Sequence, residues 1–259
     1  MDPLINREIS IIKTGDPLVQ QGDAITRQIA LPLSLDRQFS FDNFVSERAQ
    51  LILGSLRSLV LGNGETQVGL WGAASTGKTH LLNASADFAR ENGVPMQIYD
   101  AVQLQHCDAT EFDGFNHCEV LAIDNLDVLA GDPDWEARIY QVINRCREGE
   151  FRFLYSMTDR PEDLPARLDD FRSRLQWGLL LRMPAVGEDD IRRILRKRAS
   201  LAGIKLSDEV ISYLMTHHAR DLAEQVAILQ HLDGVSLSRK RRITIPLVKQ
   251  AMQELNGRS

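Results

Sequence analysis

Val68-Gly69-Leu70-Trp71-Gly72-Ala73-Ala74-Ser75-Thr76-Gly77-Lys78-Thr79-His80-Leu81-Leu82 decides the fold. Apolar Val68, Leu70 and Trp71 read as a strand, and Leu81, Leu82, Ala84, Ala86 and Phe88 recur at helical spacing. Between them Gly72 to Thr79 satisfies G-x-x-x-x-G-K-[ST], the spacing of a phosphate-binding loop. Gly72 and Gly77, with Thr76 between them, let the backbone turn its N–H groups around a phosphate. Lys78 reaches the β and γ phosphates, and the Thr79 hydroxyl is placed to ligate Mg²⁺. The helix that opens at this point adds the positive end of its dipole.

Working outward, strand and helix alternate. Strands are expected at 68–71, 96–99, 120–123, 153–157 and 179–182, with helices over 47–61, 78–91 and 134–148. That alternation predicts an α/β fold with a five-stranded parallel sheet covered on both faces. Past Pro184 the strand signal fades, and amphipathic helices are expected over 188–202, 208–218, 222–235 and 246–255. The organisation read from this is a flexible N-terminal tail (1–35), an α/β nucleotide-binding domain (36–186) and a small all-α lid (187–259).

The chain has 259 residues, 43% hydrophobic and 25% charged, with a formal net charge of −6. That balance suits a globular protein and gives no global field that would hold a nucleic-acid backbone. Two basic patches stand out against it. Arg192, Arg193, Arg196, Lys197 and Arg198 interleave with Ile191, Ile194, Leu195 and Ala199 as a solvated helix face would. Arg239-Lys240-Arg241-Arg242 falls in a turn and offers at most weak contact with DNA. Cys107, Cys118 and Cys146 are odd in number and scattered, which fits a reducing compartment, and no run reaches the length of a membrane span. The expected location is cytoplasmic.

A nucleotide site needs a second anchor for Mg²⁺, and Val120-Leu121-Ala122-Ile123-Asp124 supplies a carboxylate at the end of an apolar strand. The next position commonly carries an acid that polarises the attacking water. Here it is Asn125, and an amide cannot accept a proton at neutral pH. Binding of ATP or ADP without brisk turnover is the expectation, unless Asp127 or another group substitutes. Ser156-Met157-Thr158-Asp159 closes a further strand where a γ-phosphate would be sensed. Arg174, in Phe171-Arg172-Ser173-Arg174, is placed either to enter a neighbour's site or to form an ordinary salt bridge.

Taken together, Phe41-Asp42-Asn43-Phe44-Val45, Gly77-Lys78-Thr79-His80-Leu81-Leu82, Thr158-Asp159-Arg160-Pro161, Ser173-Arg174-Leu175, Trp177-Gly178 and Ile243-Thr244-Ile245-Pro246 resemble the AAA+ family and, within it, the DnaA clade. The likeness runs from about residue 36 to 256. Gln28-Ile29-Ala30-Leu31-Pro32-Leu33 looks like the peptide, with Gln28, Leu31, Pro32 and Leu33 as its anchors, that docks on the sliding clamp (beta subunit) of DNA polymerase III. The combination, with no initiator-type DNA-reading domain expected after the lid, is similar to the DnaA regulatory inactivators. That resemblance implies an ADP-bound, clamp-tethered protein that promotes hydrolysis of DnaA-bound ATP, at the nucleoid and replisome. It implies Arg174 as an arginine finger acting in trans, Arg220 as the lid arginine, Asp159 as the phosphate sensor and Val45 beside the adenine. His80, next to Thr79, belongs to the expected nucleotide-binding set. The protein would then have little or no ATPase activity of its own, and a homo-oligomer is compatible with the family. The competing reading is a DnaA-like loader or remodelling ATPase that hydrolyses its own ATP.

Overall fold

The computed structural model describes residues 40–45, 49–112, 118–201, 203–217, 225, 226, 228, 229, 232 and 243–256. Its centre is a sheet of β1 (Gln67–Trp71), β2 (Met96–Asp100), β3 (Val120–Asp124), β4 (Arg152–Met157) and β5 (Leu179–Arg182). All are parallel, in the order β2-β3-β4-β1-β5. The chain therefore begins next to one edge, runs across to the other and returns, and the phosphate loop leaves the sheet from β1, between β4 and β5.

Period-two alternation divides the sheet into two cores. Leu121, Ile123, Phe153, Tyr155 and Met157 face one side, against Trp135, Ile139, Val142 and Ile143 of α4 (Pro133–Arg147) and Phe171 and Leu175 of α5 (Asp169–Leu175). Val68, Leu70, Ala122, Leu154 and Leu181 face the other, against Ile52, Leu56 and Leu59 of α1 (Ala49–Leu61) and Leu81, Leu82 and Ala84 of α2 (Lys78–Glu91). Asp124 and Ser156 continue that second face at the carboxyl end of their strands, so the alternation that buries Ala122 and Leu154 also aims these polar groups toward α2.

The expected strands appear within a residue of their predicted ends, and α2 spans the residues predicted for it. Two short helices escaped the periodicity. One is α3 (Ala101–Leu104), which Asp100 caps by accepting from the Val102 N–H at 3.0 Å. The other is α5, seven residues carrying Arg174, too short for a periodic signal and held by tertiary contacts. Gln67 Nε2 donates to the carbonyls of Arg174 (3.0 Å) and Leu175 (3.3 Å), and the Tyr155 hydroxyl also donates to Leu175, tying the carbonyl end of α5 to the sheet. Gly178 then passes so close to β1 that a Cβ there would lie 2.2 Å from the Gln67 carbonyl oxygen. Only glycine lets the chain enter β5 at that distance.

Beyond β5, α6 (Glu188–Leu201), α7 (Asp208–His217) and α8 (Ile245–Asn256) form a helical unit. One of its clusters joins Ile191, Leu195, Ala199, Ile211 and Leu229, and another joins Val210, Leu214, Ile228, Leu232, Ile243 and Val248. The helix expected over 222–235 lies largely outside the described residues, as does the whole tail with Gln28, Leu31, Pro32 and Leu33. Among the described residues no helix is long and apolar enough to cross a membrane.

Glu136 is fully buried in α4, yet it bonds only to backbone: its oxygens accept from the N–H groups of Gly131 (2.7 Å), Arg167 (2.9 and 3.0 Å) and Leu168 (2.7 Å). A carboxylate is an acceptor on both oxygens and suits three donors. Glu136→Gln turns an NH₂ toward those donors and is expected to lower the unfolding free energy by about 3 kcal/mol. Equilibrium denaturant unfolding, with the slope unchanged, checks this.

Candidate functional site

At the turn after β1 the backbone adopts conformations that side chains disfavour. Gly77 has φ 93°, and Ser75 sits in the left-handed region at φ 59°. Gly77 is the N-cap of α2 and brings no side-chain cap, which leaves that helix end open to an anion. The Thr76 hydroxyl closes the loop on itself, donating to the Ala73 carbonyl at 2.9 Å. Lys78 is buried, and its Nζ donates to the carbonyls of Gly72 (2.6 Å) and Ala73 (2.8 Å). Burial lowers its pKa, opposed by the nearby negative charges of Asp124 and Asp127.

Behind the loop, Asp124 ties three elements together. Its Oδ2 accepts from the Thr79 hydroxyl at 2.6 Å, and its Oδ1 accepts from the Ser156 hydroxyl. Ser156 in turn accepts the Asn125 N–H at 3.0 Å. Asn125 is left-handed, at φ 57° and ψ 40°, a conformation asparagine tolerates better than most residues. Its amide Nδ2 donates to Asp100 Oδ1 at 3.1 Å. An acid in place of Asn125 would set two carboxylates against each other, so the amide is required by the sheet edge as well as unable to act as a base. Asp127 Oδ2 accepts the Thr158 N–H at 3.1 Å, while its Oδ1 is buried with no hydrogen-bond partner.

A cavity of about 370 Å³ opens over the loop. Ala74 to His80 form its floor, Asn125 and Thr158 one end, and Asn43, Phe44 and Val45 a wall. Val186, Ile194, Arg198 and Val226 cover it from the helical unit. Among the described residues its charged lining is Lys78 and Arg198, both cations, with no carboxylate. His80 lies between the two halves. Ser40 offers a carbonyl, so Nε2 must carry the proton that bonds it at 3.0 Å, and Nδ1 is left to accept from Arg198 at 3.4 Å. The ring stacks on Phe44 with centroids 6.5 Å apart. Burial, and then the charge of Arg198, push its pKa down to about 4.

Val45, Thr76, Gly77, Lys78, Thr79 and His80 thus meet at one cavity, with the Gly72 carbonyl and the Asp124 carboxylate immediately behind it. Asp159 does not join them: it is exposed, and its neighbour Thr158 lines the cavity instead. A carboxylate there would repel phosphate, whereas the threonine presents a hydroxyl. Arg220 lies outside the described residues, as do Arg239 to Arg242. Arg174 is remote from this cavity and is held between rings, its guanidinium carbon 3.9 Å from the Tyr140 ring centre and 4.3 Å from that of Trp177. It donates to the Tyr140 hydroxyl and to Asn144 Oδ1. Among the described residues no carboxylate pairs with it, so the salt-bridge alternative does not hold there.

Sequence reasoning missed Arg198, which it placed on a solvated face. Seven residues from Ile191 and four from Ile194, it falls on the apolar stripe of α6, and that spacing was the available signal. Arg192, Arg193 and Arg196 do behave as surface groups, bonded to Ser212, Asp190 and Asp208 within the helical unit.

The family described as the bacterial DnaA ATPase domain matches residues 35–182, and that described as the Hda lid domain matches residues 188–252. Among solved structures, domain III of the DnaA replication initiation protein from Thermotoga maritima aligns with a TM-score of 0.70 at 16% identity, over 84% of this chain and 97% of that one. AMPPCP-bound DnaA from Aquifex aeolicus aligns at 0.64 and 19% identity, over 75% of this chain. This chain spans 64% of that protein's length. RuvB from Thermotoga maritima aligns at 0.61 and 20% identity, over 85% and 73% of the two chains. The fold is therefore that of an AAA+ module, with a C-terminal helical lid.

His80 makes the stability of this site depend on pH. Above about pH 6.5 the ring is neutral both folded and unfolded. As pH falls toward 4 the unfolded chain binds a proton that the folded ring refuses, and stability drops by up to about 3 kcal/mol before levelling off. His80→Gln is expected to flatten this part of the profile, measured as unfolding free energy against pH for the two proteins.

Proposed function

Because this chain belongs to the DnaA-related family of AAA+ proteins, we propose that it is a nucleotide-binding regulator of the initiator DnaA, whose consequential hydrolysis takes place in its partner. The observation that carries the reading is the pairing of a cationic phosphate cavity with a tied-off Asn125, set apart from a ring-clamped Arg174. Residues 36–186 serve as the nucleotide domain and 187–259 as its lid.

ADP or ATP binds with its phosphates on the loop from Gly72 to Thr79. Lys78 exchanges the Gly72 and Ala73 carbonyls for phosphate oxygens, a trade of neutral acceptors for charged ones. Thr79 and Asp124 suit Mg²⁺, since a hydroxyl and a carboxylate oxygen, 2.6 Å apart in one hydrogen bond, form a hard oxygen donor set. The metal would neutralise phosphate charge at that point. Val45 and Phe44 contribute the wall beside the adenine, and Thr158 replaces Asp159 as the group nearest the terminal phosphate. Asn125 leaves water without a base, so bound nucleotide acts as a switch of shape.

Arg174 is the finger in this reading. It enters the ATP site of DnaA and stabilises charge on the transferring phosphoryl group. Gln28, Leu31, Pro32 and Leu33 anchor the protein to the DNA-loaded sliding clamp, and Arg220 completes the lid side of the nucleotide site. Contact with DNA is then indirect, and the protein works in the cytoplasm at the replisome.

Arg174→Ala is expected to bind ADP and clamp normally and to lower stimulation of DnaA-bound ATP hydrolysis by about 10³-fold. The check is hydrolysis of ATP preloaded on DnaA, with and without DNA-loaded clamp; retained stimulation excludes the finger. One observation favours the competing reading: Asp127 holds a buried carboxylate oxygen without a partner near Lys78. A protein hydrolysing its own ATP through Asp127 would show brisk single-turnover hydrolysis alone, abolished in Asp127→Asn. The proposed regulator shows little in either form.

A further inference from the structure

Arg198 is a half-buried cation. It lies on the inward stripe of α6, lines the cavity, and forms no ion pair with any described carboxylate. Its Nε is buried without a hydrogen-bond partner, and Nη2 meets only the Nδ1 of a neutral His80, at 3.4 Å. Guanidinium groups are seldom left so, because a desolvated charge without a counter-charge is unfavourable. The neighbouring basic residues underline the contrast, since Arg192, Arg193 and Arg196 all have partners on the lid itself.

The place of Arg198 indicates what completes it. His80 follows Thr79, so its ring stands where the phosphate loop has ended and the nucleoside wall begins, stacked on Phe44. Ile194, one turn before Arg198, and Val186 continue that apolar wall from the lid. Lys78 serves the distal phosphates at the other end of the cavity. A nucleotide laid along this line brings its α-phosphate, the one nearest the nucleoside, beneath the guanidinium.

We propose that Arg198 is a lid ligand for the α-phosphate of the bound nucleotide, locking α6 onto the phosphate loop when either ADP or ATP is present. The inference rests on the nucleotide reading above. Since ADP, ATP and AMP share the α-phosphate, Arg198 detects occupancy without distinguishing the number of phosphates. His80 holds the guanidinium in position through Nδ1, 3.4 Å from Nη2, until the nucleotide arrives.

The test is calorimetric titration with ADP, with ATP and with AMP, each with Mg²⁺, on the full chain and its Arg198→Met, Arg198→Lys and Arg192→Met variants. Arg198→Met is expected to weaken all three ligands by about 10- to 100-fold, the loss of a charge-assisted contact, with the ADP to ATP ratio unchanged. Arg192→Met stays within about twofold of the parent. Without nucleotide the melting temperature of Arg198→Met stays level or rises, because a partly buried charge without a described counter-charge has been removed; a structural arginine would lower it on removal. Affinities within about twofold of the parent in a folded Arg198→Met, or a loss confined to ATP, overturn the proposal. If Arg198→Met does not fold, Arg198→Lys decides, since it keeps the charge without the planar fork: equal weakening for all three ligands supports the proposal and unchanged affinity overturns it. Failure of the parent chain to bind any of the three overturns the nucleotide reading itself, an outcome distinct from a parent that binds and a variant that binds equally well.

Discussion

The Asp124 carboxylate is the interaction on which the site depends. It sits where β3 ends and accepts hydroxyl protons from Thr79 of the phosphate loop and Ser156 of β4. Ser156 then holds the Asn125 backbone, and the Asn125 amide reaches Asp100 at the end of β2. One charged group thus sets the position of the loop relative to three neighbouring strands. Its burial is tolerable because each oxygen has a donor and Lys78 lies near. The same two oxygen-bearing side chains that satisfy one another here are those suited to share a divalent cation.

The described lining of the cavity carries charge of one sign. Among its described lining residues the charged ones are the buried Lys78 and the half-buried Arg198, and like charges repel unless an anion lies between them. In the proposed reading a polyphosphate satisfies both cations. On that reading occupancy is coupled to lid position through a named pair of residues. On the opposite side of the sheet Arg174 is held by rings and amide oxygens, none of which cancels its charge.

The phosphate loop, the five strands and α2 were legible because each is written in local signals: glycine spacing, alternating apolar residues and a 3.6-residue period. Short α5 was not, being held by Gln67 and Tyr155 from strands more than a dozen residues away. The buried Glu136 carries no pattern either, since its partners are backbone N–H groups, two of them about thirty residues further along the chain. Asp159 and Thr158 are adjacent, and only the twist at the end of β4 chooses which of them faces the cavity.

By itself the sequence determined that a strand and helix flank a glycine-rich anion loop, that an amide follows the anchoring aspartate, and that a helical unit follows the sheet. These are properties of spacing and residue type, which act within a turn or two of chain. Tertiary structure decided the rest: that Arg198 turns from the lid into the cavity, that Arg174 is stacked away from it, and that Asn125 is tied to Asp100. Such choices depend on which surfaces meet when α6 packs over α2 and when β2 pairs with β3, because burial and the search for a counter-charge act between residues that only folding brings together.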